Sequence, residues 1–189
     1  MQQSPLSNIS TEYINYIESA KDRNIVFKET IINEIGDVIK DKSICDVQCF
    51  DGYFTRLFKI LGAREIVGYD LPGNMLEVAK EVEFTTPFGI NYIEQDFSLK
   101  DFKNTSKFDI VFCPFLLNFA KDQETLKITL TNLKSLLNPG GFIFGINASP
   151  FTPVHSKMYN IVTTSQSKKP TDGDIVTRNH IKDGDPIFS

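Results

Sequence analysis

Tryptophan is absent from the 189 residues, histidine occurs twice, and cysteine occurs three times. The histidines, His155 and His180, lie far along the chain from Cys45, Cys49 and Cys113, so the paired ligand motifs of a zinc site are missing and no metal is expected. An odd cysteine count without regular spacing argues against a disulfide framework. The three are expected as buried or half-buried free thiols in a reducing compartment. No apolar run reaches the roughly 18 residues that cross a bilayer. The polar start, Met1 to Ser10, has no basic region followed by an apolar stretch. A soluble cytoplasmic protein with no membrane partner follows as the expectation. A basic footprint is missing too: the formal net charge is -4, and Lys168 and Lys169 form the densest basic cluster. Nucleic-acid binders concentrate positive charge, so no nucleic-acid partner is expected.

The remaining composition is that of an ordinary globular domain, with 41% apolar and 23% charged residues. Phenylalanine, at 16 residues, is the aromatic available for the core. The length points to a single domain over 1–189. It would comprise N-terminal helices over 1–40, a core over 41–150 and a C-terminal extension over 151–189 that is possibly incomplete.

Hydrophobic periodicity alternates between helix and strand. Ser10 to Ile17 and Ile25 to Ile39 read as amphipathic helices. Ser43 to Val47 reads as a strand, followed by a helix from Phe54 to Leu61 that Gly62 ends. Strand Glu65 to Tyr69, helix Asn74 to Glu83 and strand Asn91 to Glu94 follow. Phe108 to Cys113 is a continuous apolar strand, as expected inside a sheet covered on both faces. Helix Glu124 to Leu137 stops at Asn138-Pro139-Gly140-Gly141, before strand Phe142 to Ile146. Such alternation predicts an α/β fold with a mostly parallel sheet and helices on both faces. Beyond Ile146, Thr163 to Asp174 reads as a loop, and at most one strand, Ile175 to Ile181, is expected.

The turn after the first strand, Gln48-Cys49-Phe50-Asp51-Gly52, is where a doubly wound sheet binds its ligand. Gly52 would let the backbone approach that ligand. Asp70 closes the second strand about 20 residues later, where an acidic side chain can hold ribose hydroxyls. Asp46, at the end of the first strand, would repel a pyrophosphate but suits an ammonium group.

Taken together, these residues resemble the class I S-adenosylmethionine-dependent methyltransferases. Asp46-Val47-Gln48-Cys49-Phe50-Asp51-Gly52 is similar to that family's acidic–Gly-x-Gly-x-Gly signature. Ile66-Val67-Gly68-Tyr69-Asp70-Leu71 with Asn74-Met75-Leu76 is similar to its second motif. Gln95-Asp96-Phe97 resembles its adenine-edge contact, and Leu136 to Phe142 resembles the turn before its fifth strand. The resemblance implies a Rossmann-like methyltransferase fold with abbreviated C-terminal strands. It implies S-adenosylmethionine as cofactor, held by Asp46, Gln48, Cys49, Phe50, Gly52, Asp70, Leu71, Met75, Asp96, Phe97 and Pro114. Three segments, Pro87 to Tyr92, Phe115 to Ala120 and Gly145 to Pro150, look most like small-molecule methyltransferases of the toxoflavin-biosynthesis type. A small-molecule acceptor is implied, with His155 as a general base for a hydroxyl or amine.

Two of the three signature glycines are replaced, by Gln48 and Phe50, and the C-terminal part is short. These departures leave open a second reading, a domain that keeps the fold and serves as a binding or regulatory partner without catalysis. A nicotinamide-dependent oxidoreductase is a third reading, disfavoured by Asp46 and the missing glycines. The short end also predicts an exposed sheet edge, covered by a second copy or a partner chain.

Overall fold

The computed structural model describes the backbone of residues 11–147, 156–158, 161–165, 176–182 and 185–188, with side chains within 25–147, Asn74 apart. Two compact units divide the chain: residues 35–148, and residues 1–34 together with 149–189.

A single helix, α1 (Thr11–Ile39), replaces the two expected at the start. The intervening segment, Glu18 to Asn24, is polar but holds neither glycine nor proline, so a gap in the apolar stripe does not interrupt the backbone. The central unit then runs β1 (Ser43–Val47), α2 (Tyr53–Ile60), β2 (Glu65–Asp70), α3 (Asn74–Thr85), β3 (Asn91–Glu94), β4 (Phe108–Phe112), a 3-10 turn (Leu116–Phe119), α4 (Gln123–Ser135) and β5 (Leu137–Phe144). Asp122 starts α4 by accepting the Thr125 N–H at 2.7 Å.

The five strands form one parallel sheet in the order β3-β2-β1-β4-β5. The alternation predicts such a parallel sheet, and the order is the one that the resemblance to class I methyltransferases implies. All five residues of β1 are buried, because helices cover both faces of the sheet. On one face Cys45, Val47, Tyr69 and Val111 pack with Leu133 of α4 and Leu136, the residue that caps it. On the other, Phe112 meets Phe58 of α2 edge-on at 4.9 Å between ring centres. The strand order reverses between β1 and β4, which opens a crevice at their carboxyl ends.

The fifth strand departs from expectation. It begins at Leu137 and carries the Asn-Pro-Gly-Gly turn as an irregularity, since Phe108 pairs with Leu137 but Ile110 pairs with Phe142. Pro139 has no N–H to give the ladder, and Gly140 takes φ +81. A Cβ on Gly141 would lie 2.8 Å from the Asp109 carbonyl, so the close approach of β5 to β4 requires a glycine there.

The C-terminal part corrects the sequence reading. Four strands, β6 (Ser156–Met158), β7 (Ile161–Ser165), β8 (Val176–Lys182) and β9 (Asp185–Phe188), form a separate antiparallel sheet in sequential order. Thr163, expected in a loop, pairs with Arg178. Thr163 and Thr164 are polar but β-branched, and branching favours the extended backbone. Among the described strands, β4 is the hydrogen-bonded neighbour of β5, and the small sheet does not extend the parallel one.

Candidate functional site

The chain leaves β1 through a turn whose backbone is held from β2. The N–H groups of Gln48 and Cys49 both donate to the Tyr69 carbonyl, at 2.7 and 3.0 Å. Gln48, Phe50 and Gly52 all adopt left-handed backbone conformations, with φ of +68, +52 and +75. For a residue with a Cβ this region costs about 1–2 kcal/mol, so surrounding bonds must hold Gln48 and Phe50 there. One such bond is explicit: the Phe50 N–H donates to Asp70 Oδ2 at 2.6 Å. The Leu71 N–H donates to Asp70 Oδ1 at 2.7 Å. Each carboxylate oxygen retains a second lone pair, the arrangement a vicinal diol requires. Burial pushes the Asp70 carboxyl up, against the pull of these two N–H bonds.

Asp46 is completely buried. Its Oδ2 accepts the Thr55 hydroxyl of α2 at 2.7 Å, and its Oδ1 has no partner. Burial first, and then the nearby charges of Asp70 and Asp51, raise its carboxyl to about 7, with the Thr55 bond pulling the other way. Gln48 Oε1 is likewise buried without a partner. Two orphaned acceptors at the switch point favour a donor-rich, cationic group. They disfavour a pyrophosphate. The residues present therefore fit the ammonium and ribose of S-adenosylmethionine.

Gly52 has a role the sequence did not reveal. A Cβ there would lie 2.8 Å from Tyr92 Cζ and 2.9 Å from Arg56 Nη1, besides striking the tyrosine oxygen. A Cβ on Gly68 would meet Tyr92 Cδ1 at 2.6 Å. Both glycines thus admit the Tyr92 ring beneath the turn, while Arg56 Nη1 braces the turn by donating to the Asp51 carbonyl at 2.7 Å. Cys49 is a free, buried cysteine whose thiol burial pushes far up, so its side chain is inert. Its Sγ lies toward Gly68.

Further along the crevice, Leu71 is 54% exposed beside Asp70, and Met75 is half-buried on the first turn of α3. Beyond β3, Gln95 N–H donates to the Asp70 carbonyl at 2.8 Å. Asp96 Oδ1 accepts both the N–H and the hydroxyl of Ser98, each at 2.7 Å. The Phe97 ring is buried in the core, 5.5 Å from Tyr69 and 4.9 Å from Phe102, so it braces this loop from below. Pro114 is buried beyond β4, ahead of Phe115, whose φ is +59 and whose N–H donates to the Ile146 carbonyl at 2.6 Å. The 3-10 turn that follows leaves Phe119 64% exposed.

The fold therefore brings Asp46, Gln48, Cys49, Phe50, Gly52, Asp70 and Leu71 to the ends of β1 and β2, and Asp96, Phe97 and Pro114 to the same edge of the sheet. His155 lies outside the described residues. The contacts of Thr55, Tyr92 and Ser98 were missed by sequence reasoning: Thr55 and Ser98 carry no motif, and Tyr92, within the segment Pro87 to Tyr92, had no role assigned to it. Among the described residues no group of three or more acidic, histidine or cysteine side chains is placed to hold a metal. No described helix is long and apolar enough to cross a membrane.

A family model described as "Methyltransferase domain" matches residues 45–145, just over half of the chain. The tRNA U34 carboxymethyltransferase of Helicobacter acinonychis is 38% identical over 104 residues, which cover 51% of this chain and 38% of that protein. The demethylmenaquinone methyltransferase of Staphylococcus aureus is 31% identical over 157 residues, which cover 80% of this chain and 62% of that protein. The chain thus spans less than two thirds of the length of these curated relatives. An S-adenosylmethionine-dependent methyltransferase from Clostridium acetobutylicum has a TM-score of 0.64 at 15% identity, over 88% of this chain and 78% of that one. At that identity the likeness concerns the fold.

Proposed function

Because the chain belongs to the methyltransferase-domain family, we propose that it binds S-adenosylmethionine at the carboxyl ends of β1 and β2 and methylates a small-molecule acceptor. The observation that carries this reading is the backbone of the turn. Gln48 and Phe50 keep the left-handed conformations natural to glycine, and Phe50 N–H engages Asp70. The departures from the glycine signature thus leave the turn's shape in place, which supports a working site over a fold kept without catalysis.

When bound, the cofactor supplies a sulfonium methyl group for in-line displacement. The residues of this chain bind and align it. Asp46 Oδ1 and Gln48 Oε1 accept from the ammonium, Asp70 takes the ribose diol, Leu71 and Met75 flank the base, and Asp96 accepts from its amino group. Such a displacement needs positioning and exclusion of water more than a nucleophile. His155 is the proposed base where the acceptor is a hydroxyl or amine.

The net charge of -4 and the apolar turn Leu116–Phe119 support a small organic acceptor. The toxoflavin-type segments point the same way. Several relatives, all tRNA U34 carboxymethyltransferases of Helicobacter, carry tRNA in their names, so transfer RNA belongs in the acceptor screen as the opposing arm.

Calorimetry with S-adenosylmethionine and S-adenosylhomocysteine, with NADH as control, tests the cofactor reading. Micromolar binding that Asp70→Ala abolishes is expected. No binding at millimolar ligand overturns it and leaves a domain that retains the fold without the activity.

A further inference from the structure

We propose that Asn132 of α4 is a positioning residue for recognition of the adenine base. It lies on α4, about 80 residues along the chain from the turn after β1, and no motif singles it out. Its side chain is buried, at 9% exposure. The amide nitrogen gives both of its hydrogens to the 95–99 loop, one to the Phe97 carbonyl and one to the Leu99 carbonyl, each at 2.9 Å. A primary amide is among the few side chains that can satisfy two carbonyls two residues apart from one nitrogen.

The loop so held carries Asp96. At its near end Gln95 N–H donates to the Asp70 backbone carbonyl, which ties the loop to the end of β2. At its far end Asn132 fixes the carbonyls on either side of Ser98. Ser98, placed between those two anchors, gives its N–H and hydroxyl to Asp96 Oδ1. The carboxylate of Asp96 is therefore oriented by Ser98, and Ser98 is located by Asn132. Phe97, wedged between Tyr69 and Phe102, prevents the loop from sinking when the amide bonds are lost. Loss of Asn132 then frees the loop to slide along the sheet edge rather than to collapse. A slide of that kind misplaces Asp96 while leaving Asp46 and Asp70 where they are.

This rests on Asp96 being the contact for the base's amino group, as proposed above. The test uses two ligands that differ only at that group, S-adenosylhomocysteine and its 6-deamino analogue, which carries hydrogen in place of the amino group and keeps N1 as an acceptor. Wild-type protein is expected to prefer the adenosyl ligand by on the order of tenfold or more, the worth of a hydrogen bond to a charged acceptor. Asn132→Asp, which keeps the shape but removes the donors, is expected to cut that preference to within about twofold. Its affinity for the deamino ligand should be unchanged. Asn132→Ser, which retains one donor, should fall between the two and provides a second variant should the charge of the first prevent folding. Equal loss of affinity for both ligands in a folded variant, or an unchanged preference, overturns the role of Asn132 alone. Wild-type protein that binds neither ligand overturns the cofactor reading and this proposal with it.

Discussion

The backbone N–H of Phe50 donates to Asp70 Oδ2 at 2.6 Å, joining the turn after β1 to the last residue of β2. The bond depends on the left-handed backbone at Phe50, φ +52, a conformation usually left to glycine. Asp70 thereby holds the turn after β1, and under the proposed function the same carboxylate takes the ribose diol. The glycine signature is a constraint on backbone shape, and here tertiary hydrogen bonds satisfy it in place of residue type.

Strain of this kind is measurable. Gln48→Gly should stabilise the protein by about 1 kcal/mol in urea denaturation, since glycine carries no penalty at φ +68 and the orphaned amide oxygen is removed. A loss of stability of similar size would mean that the Gln48 side chain contributes packing that outweighs its backbone cost.

Asp46 ties stability and ligand binding to pH in opposite directions. Its folded-state value of about 7 lies above the ordinary 3.8, so the native state holds the extra proton between the two. The free protein should therefore gain stability as pH falls from 7 toward 4, and lose it as pH rises through 7. Binding of a cationic ligand needs the ionised form. Affinity for S-adenosylmethionine should be roughly tenfold weaker at pH 6 than at pH 8, read by calorimetry. Asp46→Asn should raise the melting temperature at pH 8 by a few degrees and flatten the pH dependence of binding while weakening it.

Gly52 and Tyr92 form a pair that a double-mutant cycle can resolve. Gly52→Ala places a methyl group against the tyrosine oxygen and ring at a position with φ +75, and should cost about 2–3 kcal/mol. Tyr92→Phe removes the nearer obstacle. The double variant should recover part of that loss, on the order of 1 kcal/mol, in chemical denaturation. Strict additivity of the two changes would disprove the steric account.

At the opposite, amino-terminal edge of the sheet, Asp109 clasps three strands. Its Oδ2 accepts the Ser43 N–H and hydroxyl at 2.9 and 3.0 Å, and its Oδ1 accepts Asn138 Nδ2 at 3.0 Å. The Ser43 N–H first, and then Asn138, hold its carboxyl down at about 2. A folded-state value below the ordinary 3.8 gives stability that is complete above pH 4 and is lost as pH falls toward 2. Between pH 5 and pH 2.5, Asp109→Ala should lose less stability than wild type does, by on the order of 1 kcal/mol, because the group is partly exposed and solvent screens it.

The central strands and helices were readable in the sequence because their signals are local. Ser43 to Val47 is a short run dominated by Ile44, Cys45 and Val47, Gly62 stops α2, and Asp70 falls at the end of its strand by spacing alone. The signature positions Asp46, Gln48, Phe50 and Gly52 were legible too, as residue types in an order. What those residues do was not. Nothing near Phe50 in the sequence says that its N–H meets Asp70, that Tyr92 fills the space above Gly52 and Gly68, or that Thr55 takes one oxygen of Asp46 and leaves the other. Of the four C-terminal strands, β8 falls on the expected Ile175 to Ile181 and the other three were missed, β7 because threonine reads as polar in periodicity and as extended only once a neighbouring strand supplies its hydrogen bonds. The one-helix start was missed for the converse reason, since a polar gap breaks a stripe without breaking a backbone. Sequence alone determined which chain segments make the parallel sheet and put the signature residues at the carboxyl ends of its strands, since both follow from local pattern and from the order of strands. Only the tertiary structure decided the geometry and protonation of the site, because backbone strain, orphaned oxygens and buried carboxylates come from neighbours far apart along the chain.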